Sequence, residues 1–332
     1  MKTSIFKYIF LFSILASLIF SIACEKTIDI DIEDSKPKIV LNAEINPDST
    51  IKVHISRSRH ILDIANLSTL NDAEVKLYED ETFIGNLIYD ASISCYCINY
   101  KPKQGKNYKF VVSHQQFETI NASAKILEKI KPISIDTSRS FGQYGEEILN
   151  ASIRFKDPGN EKNYYMLKLR YKYKAEIWDP DLITIDTIYE GPDTTIIDIT
   201  QGGYYYADVI DPMYFSSNDL NLEDGDYLRS LVISDELFDG KEYQLKINFD
   251  ENSVYYYGSD SCTIYIDFHT ISQDYYKYLR SEKKYQNSSG DPFSEPVMVF
   301  TNVENGLGIL GSAHAHTDSI IITGRYGGHY DE

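Results

Sequence analysis

From Ile39 onward the chain is written with a period of two. Ile51, Val53 and Ile55 alternate with Lys52, His54 and Ser56, and Val75 and Leu77 alternate with Glu74 and Lys76. That period puts apolar side chains on one face of a strand and polar ones on the other. Similar runs follow at 83–88, 95–100, 108–112 and 117–124, and Asn46-Pro47-Asp48-Ser49 is a strong turn cluster. About seven short strands with turn signals between them predict an immunoglobulin-like β-sandwich over residues 38–127. The stretch Gly105 to Tyr108 looks like a turn into a strand with a tyrosine at its corner, from which the phenol bonds back to the backbone. The Cys…Trp…Cys core of antibody domains is absent, so the likeness is one of architecture.

Residues 128–332 predict a larger β-rich domain. Its strand candidates are 151–155, 164–177, 194–199, 228–233, 243–249 and 262–269. Loops are expected at Asp157-Pro158-Gly159-Asn160, Asp179-Pro180-Asp181, Gly191-Pro192-Asp193 and along 211–226. One helix near the C-terminus stands out. Thr270 with Gln273 reads as its capping box, and Ile271, Tyr275, Tyr278 and Leu279 recur at helical spacing. Asn287, Gly290 and Pro292 stop it. Tyr275 and Tyr278 read as core rather than as a ligand platform. The fold expected is mainly β.

The first residues follow a different pattern. Lys2 and Lys7 precede an apolar run from Ile9 to Ile22, which ends at Ser21-Ile22-Ala23-Cys24 and meets the polar Glu25-Lys26. The run falls short of the ~20 residues that a bilayer span needs. It reads as a lipoprotein signal over residues 1–23, with Cys24 as the lipidated residue and 24–37 as an acidic tether. Ser21 stands where the usual lipobox has leucine, and an ordinary secretory signal is the alternative. Acyl chains anchor because each buried methylene contributes about 0.8 kcal/mol.

Charge narrows the partners. The net −18 of the whole chain becomes −20 once residues 1–23, which carry Lys2 and Lys7 and no acid, are removed. Nucleic acid is disfavoured, because phosphate neutralisation needs clustered Lys and Arg. Electrostatic adhesion to anionic lipid is disfavoured too. Tyrosine is abundant at 28 residues, with triplets at Tyr204–Tyr206 and Tyr255–Tyr257. Cys95, Cys97 and Cys262 remain in the mature chain. They read as buried free thiols, or as one pair with Cys262 and one thiol left over.

Candidate chemistry is sparse. Tyr204, Tyr205, Tyr206 and Tyr214 flank a long loop and are the candidate ligand-binding residues, although adjacent tyrosines in a strand also serve packing. Gly306-Leu307-Gly308-Ile309-Leu310-Gly311 spells G-x-G-x-x-G, but β-like sequence follows it where a dinucleotide site needs a helix. Glycines at a turn or bulge explain it better. His314 and His316 would share a strand face, but no third metal ligand is evident, with His269 and His329 dependent on the fold. Asp219, Asn221, Glu223, Asp224 and Asp226 resemble a calcium loop, yet Asp224 and Ser230 occupy the positions that call for Gly and Glu. A looser Ca²⁺ site is conceivable there, without a complete motif. Ser281 and Lys284 form a chance S-x-x-K. No cofactor and no catalytic residue is expected.

Several motifs together carry a resemblance. Asp291-Pro292-Phe293-Ser294-Glu295-Pro296-Val297, then Phe300-Thr301-Asn302-Val303, then the glycines Gly306, Gly308 and Gly311 follow the tyrosine-rich helix. With Cys24, the Gly105…Tyr108 turn, and Phe155, Asp157, Pro158, Asn163, Tyr164 and Tyr165, they make the chain similar to the Bacteroidota lipoprotein family of domain of unknown function 4249 (DUF4249). Leu310 stands where that family often has phenylalanine. The resemblance covers essentially the whole mature chain and carries over no catalytic residue. It implies an outer-membrane lipoprotein, often encoded beside a TonB-dependent receptor, and the acidic stretch after Cys24 resembles the surface-export signals of such lipoproteins, with the periplasmic face as the alternative. The expected function is a non-enzymatic accessory or ligand-capture partner of such a transporter. The alternatives are a structural or adhesive envelope lipoprotein and a glycan or peptide hydrolase.

Overall fold

The structure is a computed structural model that describes residues 36–59, 69–142, 145, 147–189, 195–217, 219, 228–250, 261–288, 295 and 297–323. All of them except Lys36 belong to one compact unit, Pro37–Glu332. Outside the described residues lie the signal segment with Cys24, Tyr255–Tyr257, His329, and the motif residues Asp291, Pro292, Phe293 and Pro296. Asn221, Glu223, Asp224 and Asp226 of the acidic loop lie there too.

The protein is mainly β. Its first core is built by β1 (Ile39–Ile45), β2 (Ile51–Arg57), β3 (Glu74–Glu79), β4 (Thr82–Asp90), β5 (Cys95–Ile98), β6 (Asn107–His114) and β7 (Phe117–Lys125). The pairing order β1-β2-β5-β4-β3-β6-β7 lets β4 serve both layers. Its end at Ile88–Asp90 pairs with β5, and Thr82–Leu87 pairs with β3. The alternation read along the chain is the burial pattern. Leu41, Val53 and Ile55 of one layer meet Val75, Leu77, Phe110 and Ile120 of the other, all fully buried. The corner tyrosine behaves as its position requires. The Tyr108 hydroxyl accepts the Lys103 N–H at 2.7 Å and donates to Glu79 at 2.5 Å.

The second core lies between two sheets. The smaller holds β8 (Ser134–Phe141), β9 (Glu147–Lys156) and β13 (Glu242–Asp250). The larger holds β10 (Tyr164–Tyr189), β11 (Thr195–Met213), β12 (Ser230–Ser234), β14 (Ser261–Ile271) and β15 (Leu307–Thr323). Ile153, Phe155, Leu245 and Ile247 from the small sheet pack on Leu167, Leu169, Ile264, Ile266 and Phe268 from the large one. Phe155, Tyr165, Phe238, Tyr243 and Phe268 form a continuous aromatic cluster in edge and stacked contacts. The opposite face of the large sheet carries α1 (Gln273–Ser288), whose Tyr275, Tyr276 and Leu279 pack on Tyr164, Met166, Ile271 and Ala313.

β15 joins the two cores. It pairs antiparallel with β14 and parallel with β1, Val40 opposite Leu307 and Ile45 opposite Ser312. Its Leu310 is buried in the first core and its Ile322 in the second.

Three local expectations are corrected. The helix cap is not Thr270, which lies in β14 with its hydroxyl accepting the Ile130 N–H at 3.3 Å. Ser272 takes the cap position, its carbonyl accepting the first helical bond from Tyr276 at 3.0 Å. Asp179-Pro180-Asp181 is not a loop, because β10 runs through it with a register shift between Asp179 and Ile183. A bulge in a two-stranded ribbon tolerates the missing proline N–H. The stretch from Asp211 is not all loop either, since β11 extends to Met213.

Candidate functional site

The four candidate tyrosines separate into two places. Beyond the Lys172–Thr263 pair, β10 is hydrogen-bonded to β11 alone among the described residues, so the two strands leave the sheet as a ribbon. From Tyr173 to Tyr189 this arm spans roughly 50 Å at ~3.3 Å per residue. Tyr204, Tyr205 and Tyr206 sit on it, and all three are exposed, so they do not serve a core. Trp178 pairs opposite Tyr204, and their rings meet edge-on with centroids 4.9 Å apart. Gly202 makes room for the indole. Its φ is +83°, and a Cβ there would stand 2.6 Å from Trp178 Cζ2. Trp178 and Ile183 are also more than half exposed.

Tyr214 lies at the root of the arm, ten positions along the chain from Tyr204. There β11 leaves the edge of β10 at the Leu169–Met213 pair and β12 takes over at Lys168–Ser230. A cleft of about 480 Å³ opens between this junction and α1. Val232 and Leu279 line it on the apolar side, and Glu282 and Lys283 reach it from the helix. Tyr214 and Arg229 stand in its wall as well, with the guanidinium 5.2 Å from the ring centroid.

Beside the cleft, β10 places Lys168, Arg170, Lys172 and Lys174 at alternate positions of one face. Arg170 grips Asp267 with two bonds, Nε–Oδ2 at 2.6 Å and Nη2–Oδ1 at 2.9 Å, and Thr317 adds a third bond to that carboxylate at 2.7 Å. Burial pushes the Asp267 carboxyl up, but these partners hold it below its ordinary value. Lys172 pairs with Asp208 at 2.7 Å. The same face carries His269, whose ring nitrogens are buried without a hydrogen-bond partner among the described residues. Burial, with Lys168 and Arg170 adding to it, pushes its pKa down to about 4.

His314 and His316 are not a metal pair with His269. Ala315 is the residue opposite His269, so the other two histidines leave the far side of the sheet. His314 Nδ1 is committed to the Leu127 carbonyl at 3.0 Å. Asp219, the described member of the acidic loop, accepts the Tyr243 hydroxyl at 2.5 Å.

A different acidic group assembles at one end of the second core. Asp157, Asp235 and Asp239 each bring a carboxylate oxygen within 4.8 Å of the others. Asp157 accepts the Tyr165 hydroxyl and the Gly240 N–H, and Asp235 accepts the Asn163 N–H at 2.6 Å. Burial, and then the charges of Asp235 and Asp239, raise the Asp157 carboxyl above its usual value. The group ties the loop 157–163 to the turn 235–241. Some 80 residues separate Asp157 from its partners, so no local spacing marked it. Arg229 was equally unmarked, being an isolated arginine in a long acidic stretch.

The glycines of the C-terminal motif do structural work at the start of β15 and just before it. A Cβ on Gly308, where φ is +101°, would stand 2.1 Å from the Leu41 carbonyl oxygen. One on Gly306 would stand 2.9 Å from the Ile39 carbonyl oxygen. Asn302 acts as a substitute strand for Leu310, accepting its N–H at 2.9 Å and donating to its carbonyl at 3.0 Å. Ser281 likewise accepts the Phe300 N–H at 2.8 Å and donates to the Tyr278 carbonyl at 2.9 Å. The free thiols Cys95 and Cys97 are half-buried, while Cys262 is buried in the second core. No described helix is long and apolar enough to cross a membrane.

No curated protein sequence matches the chain. A family model, Domain of unknown function (DUF4249), matches residues 25–319. That span contains the first core, the second core apart from the end of β15, the arm, the cleft and the motif glycines, and the chain belongs to the DUF4249 family.

Proposed function

We propose that the protein is a non-enzymatic lipoprotein of a Bacteroidota outer membrane, anchored through Cys24 and facing the cell surface, that serves as an accessory partner of a TonB-dependent transporter. The observation that carries this reading is the arm. A two-stranded ribbon is marginal by itself in water, and this one exposes Trp178, Ile183 and the three tyrosines along its length. Aromatic side chains of that kind are the usual anchors of protein interfaces. The acidic surface of the body leaves attachment to the lipid anchor rather than to charge.

The test is co-purification from solubilised outer membrane, with the intact chain and with a variant in which 174–208 is replaced by Asn-Gly. A TonB-dependent receptor is expected with the intact chain and is expected to be lost with the shortened arm. If no receptor accompanies the intact chain, the reading fails.

A further inference from the structure

The cleft at the root of the arm has chemistry of its own. The chain carries 50 Asp and Glu against 32 Lys and Arg, so carboxylate partners for cations are in excess. Arg229 nevertheless pairs with no carboxylate among the described residues, and its guanidinium is parked on the Tyr214 ring. Guanidinium presents five N–H donors in a planar fork that matches a carboxylate or phosphate. Lys168 lies across from the cleft residue Ser230, and paired residues send their side chains from the same face. It too makes no ion pair among the described residues, because Asp267, the carboxylate beside it, is held by Arg170. Arg229 thus stands uncommitted in the wall of the cleft, with Lys168 on the adjoining strand, while Val232 and Leu279 give the cleft apolar lining beside the helix side chains Glu282 and Lys283. Its volume of about 480 Å³ falls within the range of roughly 300–1,000 Å³ typical of small-ligand pockets.

We infer that this cleft binds a small organic anion, with its carboxylate or phosphate group on the Arg229 guanidinium and its ring or hydrocarbon body on Tyr214, Val232 and Leu279. Lys168 adds a second positive charge at the anionic end. The site is distinct from the arm and requires no receptor. In a chain of net −18 the bulk field repels anions, so selection rests on this local reversal of charge.

The probes are phenylacetate and phenyl phosphate, titrated calorimetrically into the full-length protein in detergent, with benzyl alcohol as the uncharged ring. Saturable one-to-one binding of at least one anion is expected, weakening as salt is raised. The tighter of the two identifies the headgroup. Arg229→Gln, an exposed position, is expected to weaken binding roughly tenfold or more, as loss of a charge-assisted contact does. Tyr214→Leu is expected to weaken it as well, while Trp178→Ala on the arm leaves it unchanged. If neither anion saturates the protein, if benzyl alcohol binds as tightly as the anions, or if Arg229→Gln binds them as the parent does, the inference is wrong.

Discussion

Gly311 lies against the ring of Tyr275, and a Cβ on the glycine would stand 2.5 Å from the ring Cγ. The phenol continues past it to donate to Glu44 on β1 at 2.6 Å. One missing side chain therefore lets α1 settle on the sheet. Gly311→Ala forces ring and strand apart, and a cost of about 1–3 kcal/mol is expected from overpacking. Urea unfolding of the ectodomain would read this as a lower midpoint with an unchanged slope. An unaltered midpoint would show that the helix yields freely.

Tyr108→Phe keeps the ring in the first core and removes only the hydroxyl. The Lys103 N–H then loses its acceptor and Glu79 loses one donor. Burial pushes the Glu79 carboxyl up, and the hydrogen bonds of Tyr100, Tyr108 and Lys103 bring it below its ordinary value. A loss of about 1–3 kcal/mol is expected, chiefly from the Lys103 N–H left without its acceptor, since Glu79 keeps Tyr100 and Lys103. Denaturant melts of the two proteins at neutral pH would measure it.

Acid should reveal His269. In the unfolded chain this imidazole protonates near pH 6.5, whereas in the fold it does so only near 4. The unfolded state therefore takes up the proton first as pH falls. Stability from this group is full above about 6.5, declines between 6.5 and 4, and levels off below, by roughly 3 kcal/mol in total. His269→Leu should flatten that limb of the stability curve. Asp267, held below its ordinary value, adds a separate decline at lower pH.

Shortening the arm should leave the body intact. On these strands the second core ends at Leu169 and Met213, with Tyr171 packed at its margin. Replacing 174–208 by Asn-Gly preserves those contacts. The melting temperature is expected to move by no more than about 2–4 °C, the equivalent of ~1 kcal/mol in a chain of this size. Collapse of cooperativity in a calorimetric scan would show the arm to be part of the core.

Cys24→Ala tests the anchor. The parent should take up a clickable palmitate and fractionate with membranes, and the variant should do neither. Equal labelling of both proteins would place the lipid elsewhere.

The strands of the first core were legible because burial there is strictly local. Val53 is buried and Lys52 is not, and the alternation reports it directly. The tyrosine corner was legible for the same reason, since Lys103 and Tyr108 are neighbours in sequence. The helix cap slipped by two residues because Thr270 and Ser272 both offer hydroxyls, and only β15 decides between them. The Ser272 N–H donates to the Ser312 carbonyl, 40 residues on, and the Ser272 hydroxyl accepts the Ser312 N–H in return. The cleft was half legible. Tyr214 stood beside a long loop, but Arg229 reaches it only through the fold. Neither the β1–β15 pairing nor the acidic group at Asp157 leaves a local pattern at all.

That pairing has a consequence for the order of events. β1 is made among the first strands, yet its open edge is closed by Leu307–Ser312, near the end of the chain. A core that encloses Leu310 cannot be finished before that late segment has been made. Contacts of such long separation also close slowly. The protein should thus stay incomplete through most of its synthesis and lock in one late step. A chain truncated before residue 307 should remain a substrate for proteases and holdases, even though the first seven strands are all present.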